Sequence, residues 1–180
     1  MTMETFHGTT IIAVCRDNKT VVAGDGQVTL GSAVVKHGAR KVRRIYKNKI
    51  VVGFAGATAD ALTLSEKLEA KLEAFGGNLT RAAVELARDW RTDRMLRRLE
   101  AMMIAASDEN IYLLSGTGDI IEPDSGVIAI GSGSVAAQAA GEALFRHTDK
   151  SAREIAEGAM EIASGLCVYT NSQFTIEEIG

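Results

Sequence analysis

The sequence predicts an α+β fold in which two antiparallel sheets face each other and a pair of helices covers each outer side. Two observations lead to this prediction. Strand-like and helix-like segments occur in blocks, in the order strands, two helices, strands, two helices, strands, which argues against alternating βαβ units. The chain has 180 residues, 46% of them apolar, and only one proline, which fits a single domain with a substantial core.

The first block consists of short, closely spaced strands. They are predicted at residues 9–15, 20–24, 33–36, 41–46 and 50–56. A polar turn at 16–19 joins the first two, and the third is expected to pair with the fourth. The fifth is an apolar strand that runs into small residues.

Helical periodicity follows this block. Leu64, Leu68 and Leu72 recur at steps of four, and Gly76–Gly77 ends the first helix. Asn78 is expected to cap a second helix, rich in charges of both signs, over residues 78–99. This helix is expected to present either a solvated face or a contact surface for assembly.

The second half repeats the arrangement. Strands are predicted at residues 101–106, 111–115, 119–121 and 127–131, followed by a helix at 134–147 and by closing strands at 167–171 and 174–178. Ser151 is expected to cap a fourth helix between the third helix and the closing strands. Its apolar face is predicted to contain Ala152, Ile155, Ala159, Ile162 and Leu166.

Composition argues against several functional classes. The net charge of −3 does not favour nucleic-acid binding, and the basic run 40–44 alternates with apolar residues as a strand would. The three histidines form no HxxxH pair, so a zinc site is not expected. Cys15 and Cys167 are expected to be reduced. The sequence shows no secretion signal or membrane span, so we expect a soluble, cytoplasmic protein.

The pair Gly8–Thr9 stands directly before the first strand. An N-terminal threonine carries a hydroxyl nucleophile and an amine that accepts protons near neutral pH. This device works only if residues 1–8 are removed, and a glycine before the cut limits crowding. Taken alone, the pair fits an ordinary first strand better than it fits a nucleophile.

Three further segments have possible catalytic roles. A buried Lys41 held by Asp25 would favour the neutral amine of Thr9, although the spacing alone favours a surface lysine. A backbone N–H in the segment 53–56 is placed to stabilise an oxyanion or simply to allow close packing. The segment GSGS at 131–134 lacks the lysine of a P-loop, so Ser132 is expected to orient a neighbour rather than to bind nucleotide.

Several longer stretches carry a specific resemblance. In chain order they are TTIIAV, AGDGQVTLG, KVRRIY, GFAGATADALTL, ELARDWRTDRMLRRLEA, IAIGSGS, SAREIAEGAMEIA and CVYTN. From Thr9 to the C-terminus the chain resembles the HslV (ClpQ) family of peptidase subunits. These are relatives of proteasome β subunits in the N-terminal nucleophile hydrolase superfamily. The resemblance implies a four-layer αββα sandwich.

The resemblance also implies roles for individual residues. Thr9 is the implied nucleophile, Lys41 and Asp25 the active-site lysine and its carboxylate, and Ser132 the serine near the nucleophile. The backbone N–H of Gly56 is implied as the oxyanion donor. Backbone carbonyls of Ser164, Cys167 and Thr170 are implied ligands of a monovalent cation, with sodium as the expected ion. Ser164 stands where a related chain has glycine, a change that carbonyl ligation tolerates.

The implied activity is that of a threonine peptidase within an ATP-dependent protease. Residues 1–8 would be a propeptide removed by self-cleavage, and 9–180 the peptidase domain. Two stacked six-membered rings would enclose the active sites, and the hexameric ATPase HslU would unfold protein substrates and activate the peptidase. This subunit would bind no ATP, nucleic acid or membrane. The alternatives are a non-catalytic proteasome-like ring subunit, which typically lacks the Thr–Asp–Lys set, and a nucleotide-binding protein that uses GSGS.

Overall fold

The computed structural model describes residues 6–94, 96 and 101–180 of the chain. The strands are β1 (Phe6–His7), β2 (Thr10–Arg16), β3 (Lys19–Asp25), β4 (Val28–Leu30), β5 (Ala33–Lys36), β6 (Val42–Ile45), β7 (Ile50–Gly56), β8 (Ala101–Ala106), β9 (Ile111–Ser115), β10 (Ile120–Ile121), β11 (Val127–Gly131) and β12 (Phe174–Ile179). The helices are α1 (Thr58–Ala74), α2 (Leu79–Thr92), α3 (Ser134–His147) and α4 (Ala152–Leu166).

The predicted four-layer sandwich is confirmed. One antiparallel sheet has the order β11-β2-β3-β12 and the other β10-β9-β8-β7-β6. Helices α1 and α2 cover the five-stranded sheet, and α3 and α4 cover the four-stranded one. A third, small sheet, β1-β4-β5, lies beside the sandwich.

Strand β2 shows how the sequence produces these layers. Ile11 and Ala13 pack into the cluster between the sheets, whereas Ile12 and Val14 pack under α3 and α4. All four side chains are buried because successive residues of a strand point to opposite faces. A strand covered on both faces therefore reads as a continuous apolar run.

Local signals fix the ends of several elements as expected. Asp17 and Asn18 have positive φ angles of 54° and 58° in the turn between β2 and β3, a conformation that both tolerate. The Asn78 side chain accepts a hydrogen bond from the Arg81 N–H at 2.9 Å and caps α2. Ser151 and Glu154 form a reciprocal capping box at the start of α4.

Two predictions about the first half are wrong. Segment 33–36 does not pair with 41–46: β5 pairs with β4, and β6 pairs with β7. The second helix ends at Thr92 and not at 99, although residues 95 and 97–100 lie outside the described part. Asp93 is extended, and its carboxylate accepts the Leu96 N–H at 3.2 Å. This side chain therefore starts a new turn instead of continuing the helix.

Near the C-terminus one prediction is wrong and another is confirmed only in part. Residues 167–171 are not a strand, because the Thr170 N–H donates to the Cys167 carbonyl at 3.1 Å and closes a turn. Ala152, Ile155 and Ala159 lie on the buried face of α4 as predicted, together with Ala156 and Ala163. Ile162 and Leu166 lie beside it and are 47% and 73% exposed.

Within the described part of the chain, none of the helices combines the length and the apolar character needed to cross a bilayer.

Candidate active site

A cavity of about 820 Å³ opens at the edge where β2 begins and where β7 and β11 end. Thr9, Lys41, Gly56 and Ser132 all line it. Asp25 lies behind Lys41 and is fully buried. The structure thus brings together all five residues that the resemblance implies for catalysis, although they are widely separated in the chain.

The Gly8–Thr9 peptide bond lies on the wall of this cavity. The Thr9 hydroxyl lies 2.5 Å from the Gly8 carbonyl oxygen and donates to it. Gly8 has a φ of +117°, and a Cβ there would meet the Gln27 carbonyl at 3.1 Å and the Tyr169 carbonyl at 3.2 Å. Glycine is therefore required here for conformation as well as for space.

Lys41 is the cation next to this bond. Its ammonium donates to the Gly8 carbonyl at 2.8 Å, to the Gln27 carbonyl at 2.6 Å and to Asp25 Oδ1 at 2.9 Å. These bonds use all three of its N–H donors. Burial lowers the pKa of Lys41 from its ordinary value, and the charge and hydrogen bond of Asp25 oppose this shift.

Asp25 ends β3 and organises the floor of the site. Its Oδ1 accepts the Thr10 N–H at 2.8 Å in addition to Lys41, and its Oδ2 accepts the Gln27 N–H at 2.9 Å. The backbone N–H of Asn171 makes a longer bond of 3.4 Å to Oδ2. A buried carboxylate with these donors stays compensated, and it holds the strand that follows Thr9 in a fixed position.

Ser132 contacts Thr9 from the side opposite Asp25, through its backbone. Its backbone N–H donates to the Thr9 carbonyl at 2.7 Å. Gly131 has a φ of +96°, and a Cβ there would lie 2.0 Å from the Thr9 carbonyl oxygen. The segment 131–134 therefore serves to let β11 approach Thr9 closely.

Gly56 lines the cavity at the end of β7, and it is exposed. In this uncleaved chain, Lys41 and the Thr9 hydroxyl are the groups that donate to the Gly8 carbonyl among the described residues. The oxyanion role of Gly56 therefore stays a prediction.

Sequence reasoning missed two residues that support the site. Thr10 bonds through its hydroxyl to the Thr170 hydroxyl at 2.7 Å and accepts the Gly133 N–H at 3.0 Å. The Asn171 side chain accepts the Gly26 N–H at 3.2 Å and donates to the His37 carbonyl at 2.9 Å. Thr10 belongs to the threonine pair at 9–10, and Asn171 ends the stretch CVYTN. Nothing in their sequence spacing indicates that either residue contacts Asp25.

The three residues implied for a cation lie around the end of α4. The last helical bond joins the Cys167 N–H to the Ala163 carbonyl, and the Ser164 carbonyl accepts no backbone N–H from a described residue. The Ser164 hydroxyl donates back to the Glu161 carbonyl at 2.8 Å. Because a helix C-terminus presents free carbonyls with partial negative charge, this turn suits a cation held by backbone oxygens. The described residues contain no cluster of His, Cys, Asp or Glu side chains that would hold a metal ion instead.

Comparison with known proteins agrees with this geometry. The family model "Proteasome subunit" matches residues 5–179. The ATP-dependent protease subunit HslV of Syntrophobacter fumaroxidans is 61% identical over 96% of this chain and 97% of its own length. HslV of Aquifex aeolicus is 61% identical over 95% of this chain and 97% of its own length.

A solved structure shows the same fold. The crystal structure of eukaryotic HslV from Trypanosoma brucei matches with a TM-score of 0.90 and 48% identity. The match covers 94% of this chain and 98% of the other. Together with the sequence matches, this likeness shows that the chain belongs to the proteasome subunit family, in its HslV group of protease subunits.

Proposed function

We propose that this chain is a threonine peptidase subunit that frees its own nucleophile and then hydrolyses peptide bonds with it. The observation that carries the proposal is the arrangement at Gly8–Thr9. A hydroxyl and a buried ammonium both contact the carbonyl of the bond that would be cut.

The first step is self-cleavage. The Thr9 Oγ attacks the Gly8 carbonyl carbon, and the negative charge that develops on the Gly8 oxygen is stabilised by the Lys41 ammonium. The C–N bond breaks, the Thr9 nitrogen takes the proton from Oγ and becomes a free amine, and Gly8 is left as an ester on Oγ. Water hydrolyses this ester and releases residues 1–8 with a new carboxylate.

The second step is peptide hydrolysis at the same atoms. The freed Thr9 amine takes the hydroxyl proton as Oγ attacks a substrate carbonyl, and the proton passes to the leaving amine. The resulting acyl ester is hydrolysed by water, which restores Thr9. Lys41 holds positive charge beside the amine and so favours its neutral, basic form. In this step we assign the oxyanion contact to the Gly56 N–H, which lines the cavity that the propeptide vacates.

The carbonyls of Ser164, Cys167 and Thr170 are the proposed ligands of a monovalent cation, with sodium as the expected ion. A cation at this turn would fix the segment that carries Thr170 and Asn171. These two residues bond to Thr10 and Asp25. Its contribution would thus be to hold the floor of the site, without contact with the substrate.

We further propose that the chain acts in a closed assembly of two six-membered rings with HslU. The relatives carry the name ATP-dependent protease subunit, which implies an ATPase partner. The chain itself leaves an apolar patch on the α3–α4 side, where Val135, Leu166 and Val168 are 82%, 73% and 81% exposed. A patch of this kind is typical of a surface covered by another subunit. The substrates would be unfolded proteins fed into the chamber, and the compartment would be the cytoplasm.

An electrophilic peptide tests the assignment of Thr9. A peptide vinyl sulfone reacts with an activated nucleophile, and the modified residue is identified by mass spectrometry of the digested protein. We expect a single adduct on Thr9 that abolishes peptide hydrolysis in proportion to labelling. Full hydrolysis by a completely labelled protein, or labelling at another residue with loss of activity, would contradict the proposal.

A further inference from the structure

The basic run 40–44 divides into two kinds of cation. Lys41 is paired with Asp25, and Arg44 is paired with Glu177 at 2.7 Å. Within the described residues, by contrast, no carboxylate or hydrogen-bond acceptor engages the side chains of Arg40 and Arg43. The same holds for Lys36 at the end of β5.

These three unengaged cations share one location. Lys36, Arg40 and Arg43 all line the cavity that contains Thr9. No aspartate or glutamate belongs to the described lining, whose remaining side chains are mostly apolar and include Val28, Val35, Phe54 and Met102. The cleft thus combines an apolar wall with a rim of uncompensated positive charge.

This charge is local, because the whole chain has a net charge of −3. A cleft lined by one sign of charge focuses the field and raises the local concentration of the opposite charge. Lys41 adds little to that field because Asp25 neutralises it at contact distance. Among the described lining residues, Lys36, Arg40 and Arg43 therefore set the electrostatic preference of the cleft.

The segment that precedes Thr9 indicates how a peptide lies beside the rim. Its strand β1 pairs antiparallel with β4, with His7 opposite Thr29, and β5 pairs with β4 on the other side. A chain in the place of β1 therefore lies two strand spacings, roughly 10 Å, from the backbone of Lys36. The Lys36 ammonium sits on a flexible four-carbon stem and can turn towards a carboxylate on that chain.

From this geometry we propose that the cleft selects peptides with acidic side chains just before an apolar residue at the cut. Lys36, Arg40 and Arg43 are the specificity-determining residues, and they act by attracting and holding the carboxylate. The inference rests on the proposed peptidase function and names the substrate class for that same site.

Three fluorogenic peptides test it on the processed particle with its ATPase. They share leucine before the cut and differ only at the second and third residues before it, which are both Glu, both Gln or both Lys. At low salt we expect kcat/KM for the Glu peptide to exceed that for the Lys peptide by about tenfold, with the Gln peptide between them. Raising the ionic strength from about 0.02 M to about 0.5 M should remove most of this difference, since exposed charges are screened.

Variants identify the residues responsible. In the double variant Lys36→Gln/Arg40→Gln the ratio of kcat/KM for the Glu peptide to that for the Lys peptide should fall to about twofold, while the Gln peptide is still hydrolysed. In Lys36→Glu/Arg40→Glu the Lys peptide should become the better substrate. Arg44→Gln is the matched control, because Arg44 belongs to the same basic run but is bound to Glu177. Equal kcat/KM for the Glu and Lys peptides, or a preference that survives in both double variants, would overturn the inference.

Binding of the same peptides separates this inference from the proposed function. Fluorescence anisotropy should show tighter binding of the Glu peptide. If the protein binds the peptides with this preference but hydrolyses none of them, the proposed function fails and the inference stands. If the protein hydrolyses all three peptides with equal kcat/KM, the inference about charge preference fails and the proposed peptidase function stands.

Discussion

At the scale of single residues, only a few side chains contact the Gly8–Thr9 bond among the described residues, so each of them matters for the site. The Lys41 ammonium donates one hydrogen bond each to Gly8, Gln27 and Asp25. Removing this side chain therefore takes a hydrogen-bond donor away from three acceptors at once. The sequence identifies Thr9, Lys41 and Asp25 only through the family resemblance. Spacing alone does not bring them together, because their contacts depend on how β2, β3 and β6 lie relative to one another.

Removal of the Lys41 ammonium should slow both proposed steps. Lys41→Ala is expected to reduce self-cleavage and peptide hydrolysis by about 10²-fold or more, since it removes a donor to the developing oxyanion. Intact mass measured over time reports the first step, and a fluorogenic peptide reports the second. Arg44→Ala is the control, because it removes a cation of the same basic run, in strand β6, without touching the site. Normal rates in Lys41→Ala would refute its role.

The lowered pKa of Lys41 predicts an alkaline limit for self-cleavage. The protonated form donates to the Gly8 carbonyl, and deprotonation as the pH rises weakens that contact. Because burial lowers the pKa of Lys41 from its ordinary value of 10.5, the rate should begin to fall at a lower pH than an exposed lysine would allow. Precursor made by cell-free translation and sampled by mass spectrometry at a series of pH values provides the measurement. A rate still rising at the ordinary lysine pKa would contradict this assignment.

The conformation of Gly8 makes a separate prediction. Gly8→Ala places a Cβ at a positive φ among two carbonyls and the Thr29 hydroxyl, which should slow self-cleavage roughly 10-fold. Gly38→Ala is a matched control, because its Cβ would meet only the Gln173 side chain at 3.7 Å. Cleavage of Gly8→Ala at the rate of Gly38→Ala would show that the strain is irrelevant.

At the scale of elements, the sequence predicts most helices and strands because local signals define them. Asn78 and the Ser151–Glu154 box begin helices, and polar residues mark the turns. The failures occur where distant contacts decide. Segment 167–171 reads as a strand from its β-branched residues, but Thr170 and Asn171 instead bond to Thr10 and Asp25. Similarly, β5 belongs to the small sheet because β4, a three-residue strand with no clear pattern of its own, lies next to it.

The loop after α4 should respond to the cation through its carbonyls. Replacing sodium by tetramethylammonium at constant ionic strength is expected to lower peptide turnover, because the larger ion does not fit between three carbonyls. Ser164→Ala should keep the same dependence, since its hydroxyl already donates to Glu161 and its carbonyl is unchanged. Turnover that is independent of the cation, or loss of the dependence in Ser164→Ala, would contradict carbonyl ligation.

At the scale of the whole molecule, the layered fold leaves an apolar patch that the core does not use. The sequence correctly places Ala159 on the packing face of α4, but it adds Ile162 and Leu166, whose side chains are exposed in the structure. Helical periodicity does not distinguish a side chain that packs within the chain from one that packs against another subunit. This is the physical reason why the sequence alone misassigns these residues.

Introducing charge into this patch should prevent assembly without unfolding the chain. Val168→Asp, at a position that is 81% exposed, is expected to convert large particles into small species in sedimentation while the circular dichroism spectrum is retained. Ile121→Asp, which is 49% exposed in the edge strand β10 of the other sheet, is the control and should assemble normally. A Val168→Asp protein with unchanged particle size would remove this patch from the proposed interface.

Self-cleavage makes Thr9 the N-terminal residue in the proposed mechanism, and the intact mass of the purified full-length chain reports directly whether this happens. We predict that the wild-type chain lacks residues 1–8 and that Thr9→Ala, produced and assembled in the same way, retains them. A wild-type particle that is fully assembled but still carries residues 1–8 would contradict the account. Loss of the same residues from Thr9→Ala would contradict it equally, because another protease would then make the cut.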